Sequence, residues 1–327
     1  MKLGRLLQSC LNIAKNTWVI RIYLGGLFVG LFIYFYKNRD SLAMLSKISR
    51  FELLPLIVLF YLVFFLCYVY VNCSTYRALG TNISYWQTFQ VVAFSRLGIY
   101  VPGKVWYAAN YYMFSRSLQI ESATVGKNFV INNALLFFTG ALCSFFAVSQ
   151  LPSIARYFLI ILPILMLVLI HPKVLDKIFS VLITKLSTVS SDNESVDSDD
   201  IQQMTWNYAL YLKFIGLYFV LWLSNGVALY LCLQVFESIS IRTLPVIVAA
   251  GASGLIIGLL AVFAPGGVGI REGIGVAMLS QIVPIETALF ASILFRLIQV
   301  VFDLTVGGMG AITFVRKKRS FEVEDVH

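Results

Sequence analysis

Long, nearly uncharged apolar runs dominate this chain, and no other feature limits its fold more. They recur between residues 18 and 314. Most have the roughly 17–25 residues that a helix needs to cross a hydrocarbon layer about 30 Å thick. Inside lipid an unpaired amide or carbonyl has no water to turn to, so a spanning segment is a helix or part of a closed barrel. The runs are continuous and do not alternate with a period of two, which selects helix. Of the 327 residues, 59% are apolar and 13% charged, with mean hydropathy +0.83; ordinary soluble domains carry roughly 25% charged residues. Soluble enzyme folds and nucleic-acid modules are excluded. The chain reads as an all-α, polytopic integral membrane protein.

Six full crossings are expected near Trp18–Tyr36, Leu53–Val71, Phe129–Ser149, Tyr157–His171, Tyr208–Phe236 and Ala288–Phe314. Two further apolar regions are interrupted. One runs Trp86–Tyr100, breaks at Val101-Pro102-Gly103-Lys104 and resumes over Val105–Phe114. The other runs Leu244–Ala264, breaks at Pro265-Gly266-Gly267-Val268-Gly269 and resumes over Ile270–Val283. Proline removes an amide and glycine loosens the backbone, so neither helix can continue through its break. Each break falls where a full crossing would still be inside the bilayer, and two re-entrant hairpins are expected.

Charge orients these elements. Lys2, Arg5 and Lys15 precede the first span, while Arg316, Lys317, Lys318 and Arg319 follow the last. The positive-inside rule places both ends in the cytoplasm, which requires an even number of crossings. The same rule accounts for the net charge of +9 without a polyanion, so no nucleic-acid partner is implied. The basic loop Lys37–Arg50 runs against this orientation, because it would lie outside.

A shift of 163 residues lays Pro102-Gly103 on Pro265-Gly266, Leu53–Val71 on Gly216–Gln234, and Phe129–Ser149 on the last span. With the orientation above, the two units enter from opposite sides. Such inverted repeats bring broken helices together near the midplane around a substrate. The chain therefore divides into a membrane half at 1–185, a linker at 186–203, a second membrane half at 204–315 and a cytoplasmic tail at 316–327. The linker Leu186–Gln203 holds five of the 16 acids and no aromatic residue, and reads as disordered.

The scarce charges that remain inside are the candidate site. Three glycines (Gly266, Gly267, Gly269) uncover backbone amides just where a helix resumes, and a helix N-terminus with free N–H groups binds anions. Arg271 adds a guanidinium suited to phosphate. Glu272 follows it in the first turn, where the dipole favours a carboxylate. Lys104 occupies the matching place at the first break, with Arg96 two turns before it. In the last span Arg296, Gln299 and Asp303 share a helical face, and charged residues at that depth are costly unless used. Arg296 to Glu272 is a candidate clamp, and Gln299 or a partner on a second helix is a candidate link for Arg296 and Asp303. Asn132 and Asn133 are read as interhelical hydrogen-bonding groups or cavity lining. Most aromatic residues are assigned to interfacial belts.

Other patterns carry no chemistry. The five cysteines show no metal or redox spacing, and the two histidines lie at or outside span ends. Asp197-Ser198-Asp199 sits in a run of serines and acids where such a triplet arises by chance. No cofactor or metal is expected.

The stretch Pro265–Gly273 (PGGVGIREG), with Ala288–Arg296 ending in Leu-Phe-Arg, resembles the lysylphosphatidylglycerol synthase transmembrane-region family. Pro102-Gly103-Lys104, with Arg116 beyond it, is similar to that family's first Pro-Gly motif, and the likeness spans roughly residues 20–315. The resemblance implies a flippase-like domain in the bacterial cytoplasmic (inner) membrane, with re-entrant helices around a headgroup cavity. Lysyl transfer is not implied, since in the family it belongs to a soluble domain. The chain departs from the family pattern at Asn132-Asn133 and near Trp106, where acidic or acidic-arginine positions are frequent.

The expected function is movement of a phosphate-bearing lipid, phospholipid or polyprenyl-linked, between leaflets. The partner is then a membrane lipid with an anionic headgroup, and a homo-oligomer or an envelope-biosynthesis protein are candidate assemblies. The main alternative is a glycosyl- or phosphotransferase using a lipid carrier, for which Asp40 and Glu52 are the candidate acids. An accessory subunit of envelope assembly is the third reading.

Overall fold

A computed structural model describes residues 50–100, 105–145, 153–170, 208–261 and 269–324, together with residues 174, 177, 264 and 267. The expected span Trp18–Tyr36, Lys104, Gly266 and the linker Leu186–Gln203 lie outside the described residues. Among those residues nine α-helices form and no strand. They are α1 (Leu54–Ala78), α2 (Tyr85–Leu97), α3 (Val105–Ser117), α4 (Ser122–Ser144), α5 (Ser153–Ile170), α6 (Tyr208–Gln234), α7 (Leu244–Leu260), α8 (Ile270–Leu279) and α9 (Ile285–Glu324).

Local chemistry sets several of these ends. Helices α1 and α7 each carry a proline in the first turn, at Pro55 and Pro245, where the missing N–H would be unpaired anyway. Helix α2 opens on a reciprocal cap: Ser84 Oγ accepts from the Gln87 amide at 3.1 Å, and Gln87 Oε1 accepts from the Ser84 amide at 2.9 Å.

Among the described residues, four helical segments are long and apolar enough to cross a membrane: Phe51–Ala78, Ala209–Gln234, Ile241–Leu260 and Ile285–Phe314. Three coincide with expected spans. The fourth, Ile241–Leu260, corresponds to the first arm expected of the second hairpin. A 3-10 turn at Ile241–Thr243 extends α7 to 20 residues, which at 1.5 Å per residue reaches about 30 Å. Its counterpart α2 has 13 residues and reaches only about 20 Å. Helices α4 and α5 cover most of the other two expected spans, Phe129–Ser149 and Tyr157–His171.

The two halves share an element order and a packing scheme. The 163-residue shift moves Leu97, the end of α2, onto Leu260, the end of α7, and Ser122, the start of α4, onto Ile285, the start of α9. Helix α2 packs on α9 as α7 packs on α4, and the pairs α1–α2, α2–α3 and α3–α4 have their equivalents in α6–α7, α7–α8 and α8–α9. Helices α1 and α6 meet at the centre and run antiparallel. At one end Arg50 donates to Gln234 Oε1 at 3.1 Å and to Ser238 Oγ at 2.9 Å. At the other, Lys213 Nζ donates to Tyr70 Oη at 3.0 Å.

Buried hydrogen bonds tie α4 to this central pair. Tyr218 donates to the Asn132 carbonyl at 2.9 Å, and Trp222 Nε1 donates to Thr139 Oγ1 at 3.0 Å. Asn132 thus serves as an interhelical hydrogen-bonding group.

Candidate substrate site

The intramembrane charges meet at the middle of the bundle. In the 30-residue segment Ile285–Phe314, Arg296, Gln299 and Asp303 are the twelfth, fifteenth and nineteenth residues, so they sit near its centre. One face of α1 brings Tyr61, Phe64 and Tyr68 to the same depth, and the end of α2 supplies Arg96. The start of α8 supplies Arg271 and Glu272. Between them lies a cavity of about 210 Å³, lined on its polar side by Arg96, Arg271, Arg296, Asp303 and Asn133, and elsewhere mainly by aromatic and aliphatic side chains.

The five charged groups divide by partner. Arg96 Nη1 lies 3.3 Å from Asp303 Oδ1 and donates to Tyr61 Oη at 3.2 Å. Tyr100 Oη donates to the other carboxylate oxygen of Asp303 at 2.8 Å. The Arg96 guanidinium also sits over the rings of Phe64, Phe65 and Tyr68, 5.3–5.9 Å from their centroids, an arrangement in which cation and ring faces attract. Asp303 is 3% exposed and Arg96 9%, so this pair is a closed clamp between α2 and α9. Gln299 does not bridge Arg296 to Asp303; Asp303 finds its cation on another helix, 207 residues away in sequence.

Arg296 is the second clamp. Its Nε lies 3.6 Å from Glu272 Oε1, as expected from the sequence, and its guanidinium stacks over Tyr100 at 5.5 Å. The other Glu272 oxygen accepts from the Gly269 amide at 2.6 Å and caps α8. The Gly267 amide donates to the Ala264 carbonyl at 2.9 Å. The Gly267 and Gly269 amides are therefore used inside the break.

Arg271 differs. It makes no ion pair among the described residues; its Nη2 donates to the neutral amide oxygen of Gln299 at 3.1 Å. Its stem fits where α7 lacks side chains. A Cβ on Gly258 would overlap Arg271 Cγ, and one on Gly254 would come within 3.0 Å of the Arg271 carbonyl oxygen. Gly267 adopts φ +72° and Gly269 φ +84°, conformations natural to glycine, and these carry the chain around the guanidinium. The result is a guanidinium fixed at the cavity wall with no carboxylate within ion-pair distance of it among the described residues.

Sequence alone does not single out several of the site residues. Tyr61, Tyr68, Tyr100 and Tyr107 present hydroxyls or ring faces to the charges, and so depart from the interfacial placement expected of aromatics. A usable signal is the spacing of Tyr61 and Tyr68, seven residues apart and far from either end of a 28-residue span. Asn133 lines the cavity while donating to the Phe129 carbonyl at 2.7 Å. Glu52, a candidate acid for the transferase reading, is exposed at the start of α1 and takes no part in lining the charged cavity. Asp40 lies outside the described residues.

Compared with known proteins, the chain matches the family described as Lysylphosphatidylglycerol synthase TM region over residues 18–307. No curated protein matches it.

Proposed function

This chain belongs to the lysylphosphatidylglycerol synthase TM-region family, and from that membership and the cavity we propose that it moves a phosphate-bearing lipid between the leaflets of the bacterial cytoplasmic membrane. The observation that carries the reading is Arg271: a guanidinium without a carboxylate, at mid-bundle depth, on the wall of a cavity of about 210 Å³. A charge at that depth is costly unless it serves a ligand or a pathway. A phosphate headgroup supplies the missing anion, and guanidinium binds phosphate with two parallel hydrogen bonds. Acyl or prenyl tails remain in lipid while the headgroup passes the polar cavity, which limits the desolvation cost.

The topology that supports this has six crossings and two re-entrant hairpins, α2–α3 and α7–α8, entering from opposite faces with both termini cytoplasmic. The antiparallel packing of α1 on α6 supports inverted halves. Arg96–Asp303 and Arg296–Glu272 hold the hairpins against α9 and define the cavity, while Lys104 at the first break is a candidate second contact for the headgroup. The chain's own side chains bind and orient; no chemical step on the lipid is involved.

The test is leaflet exchange of labelled phospholipid and polyprenyl phosphate in liposomes containing the purified protein. Arg271→Ala is expected to lower exchange at least tenfold while the protein stays folded, and Arg271→Lys to recover part of it. Exchange by Arg271→Ala at the wild-type rate sinks the headgroup role of Arg271; sugar or phosphate transfer without exchange sinks the transport reading.

A further inference from the structure

Arg271 and Arg296 also line a second, smaller chamber of about 40 Å³, a volume that suits one small ion or a few waters. Its walls are unusually short of side chains, with Gly251, Gly254 and Gly275 contributing backbone alone. Polar groups face the space this leaves. The Ser292 hydroxyl is 3.5 Å from where a Cβ on Gly275 would stand. Gln299 lines the chamber, is 1% exposed, and gives its amide oxygen to Arg271; its Nε2, a double donor, has no hydrogen-bond partner among the described residues.

Charge points the same way. The cluster holds three guanidiniums (Arg96, Arg271, Arg296) and two carboxylates (Glu272, Asp303), an excess of one positive charge. Glu272 lines the small chamber too, but both its oxygens are engaged, one by Arg296 and one by the Gly269 amide. What faces the space is a guanidinium, an unused amide NH₂ and a hydroxyl, which together suit an anion and disfavour a cation.

We propose that this chamber is a resident site for a small monovalent anion of halide size, held by Arg271, Gln299 Nε2 and the Ser292 hydroxyl. The anion balances the charge of the cluster and leaves when an anionic headgroup reaches Arg271 from the larger cavity. The site itself stands on charge balance and geometry; only the exchange step rests on the headgroup reading above.

The experiment uses the full chain in detergent, with chloride or bromide titrated against gluconate at constant ionic strength. The expected result is a saturable rise in Tm with either halide. The half-saturating concentration should rise at least tenfold in Gln299→Leu and several-fold in Ser292→Ala. An identical Tm in halide and gluconate overturns the site, as do variants that titrate like wild type. Wild-type crystals grown in bromide give a check that needs no variant: an anomalous peak between Arg271 and Gln299 supports the site, and its absence there overturns it. Halide binding without lipid exchange leaves the anion site standing and sinks only the headgroup reading; lipid exchange without halide binding does the reverse.

Discussion

Asp303 shows how one carboxylate inside a membrane protein acquires its role from residues remote in sequence. It accepts from Tyr100 and meets Arg96, which is itself boxed by aromatic faces. Removing one member of a buried pair leaves an uncompensated charge and costs about 3–5 kcal/mol, whereas replacing both with apolar groups of similar size is often near neutral. Asp303→Leu is therefore expected to destabilise the protein by that amount, and the double variant Arg96→Met/Asp303→Leu to recover most of it. Thermal unfolding in detergent reads the difference; equal losses in single and double variants would show that the pair is not the source. A second residue-scale prediction concerns Gly258, whose missing side chain accommodates the Arg271 stem. Gly258→Ala should displace Arg271 and cut lipid exchange several-fold, with a much smaller effect on Tm. Loss of Tm with exchange retained would contradict that reading.

At the scale of elements, close approach sets the site more than helix length does. Helix α9 reaches α2 through Gly307 and Gly310, and a Cβ on Gly310 would stand 2.7 Å from the Phe94 amide nitrogen. That approach brings Asp303 within reach of Arg96. Overpacking a close interface costs about 1–3 kcal/mol, so Gly310→Val should lower stability by that amount and weaken exchange. Gly308→Val, where an added Cβ meets nothing within 4 Å, should leave both unchanged. Equal effects at the two positions would remove the role assigned to the α2–α9 contact.

Element existence is legible from sequence because apolar runs and Pro-Gly breaks are local signals; the 163-residue shift, taken from two Pro-Gly pairs, carries the end of α2 onto that of α7 and the start of α4 onto that of α9. The Arg296–Glu272 pair is legible too, being opposite charges inside two adjoining apolar elements. Arg96–Asp303 is not, because nothing local distinguishes Arg96 from a residue lying at the headgroups. The tyrosine hydroxyls are hidden for a related reason: a tyrosine at an interface and one at mid-span look alike until depth is known. The 3-10 first turn of α7, Ile241-Arg242-Thr243, is not legible either, because it reads as loop.

For the molecule as a whole, helix lengths constrain how two similar halves sit relative to the membrane. Helices α2 and α3 have 13 residues each and α8 has 10, or about 20 Å and 15 Å of rise. None of the three alone spans a hydrocarbon core of about 30 Å. Helix α7 is long enough, but its partner α8 is not. In the topology proposed above, the chain turns back at each break and each hairpin returns to the face it entered. In that topology the loops at either end of α2–α3 share one face and those at either end of α7–α8 the other, an arrangement the antiparallel run of α1 and α6 supports. In a cysteine-free background, Asn82→Cys and Glu121→Cys should react with an impermeant maleimide only from the cytoplasmic side, and Ser240→Cys and Gln281→Cys only from the outside. Gly103→Cys, at the tip of the first break, should resist the reagent from the outside. Labelling of all four loop positions from one face would rule out inverted halves, and rapid outside labelling at residue 103 would mean that α2 and α3 cross. With the predicted pattern, Arg271 from one half and Arg96 from the other approach a common midplane from opposite leaflets, the placement a headgroup needs if it is to be passed between them.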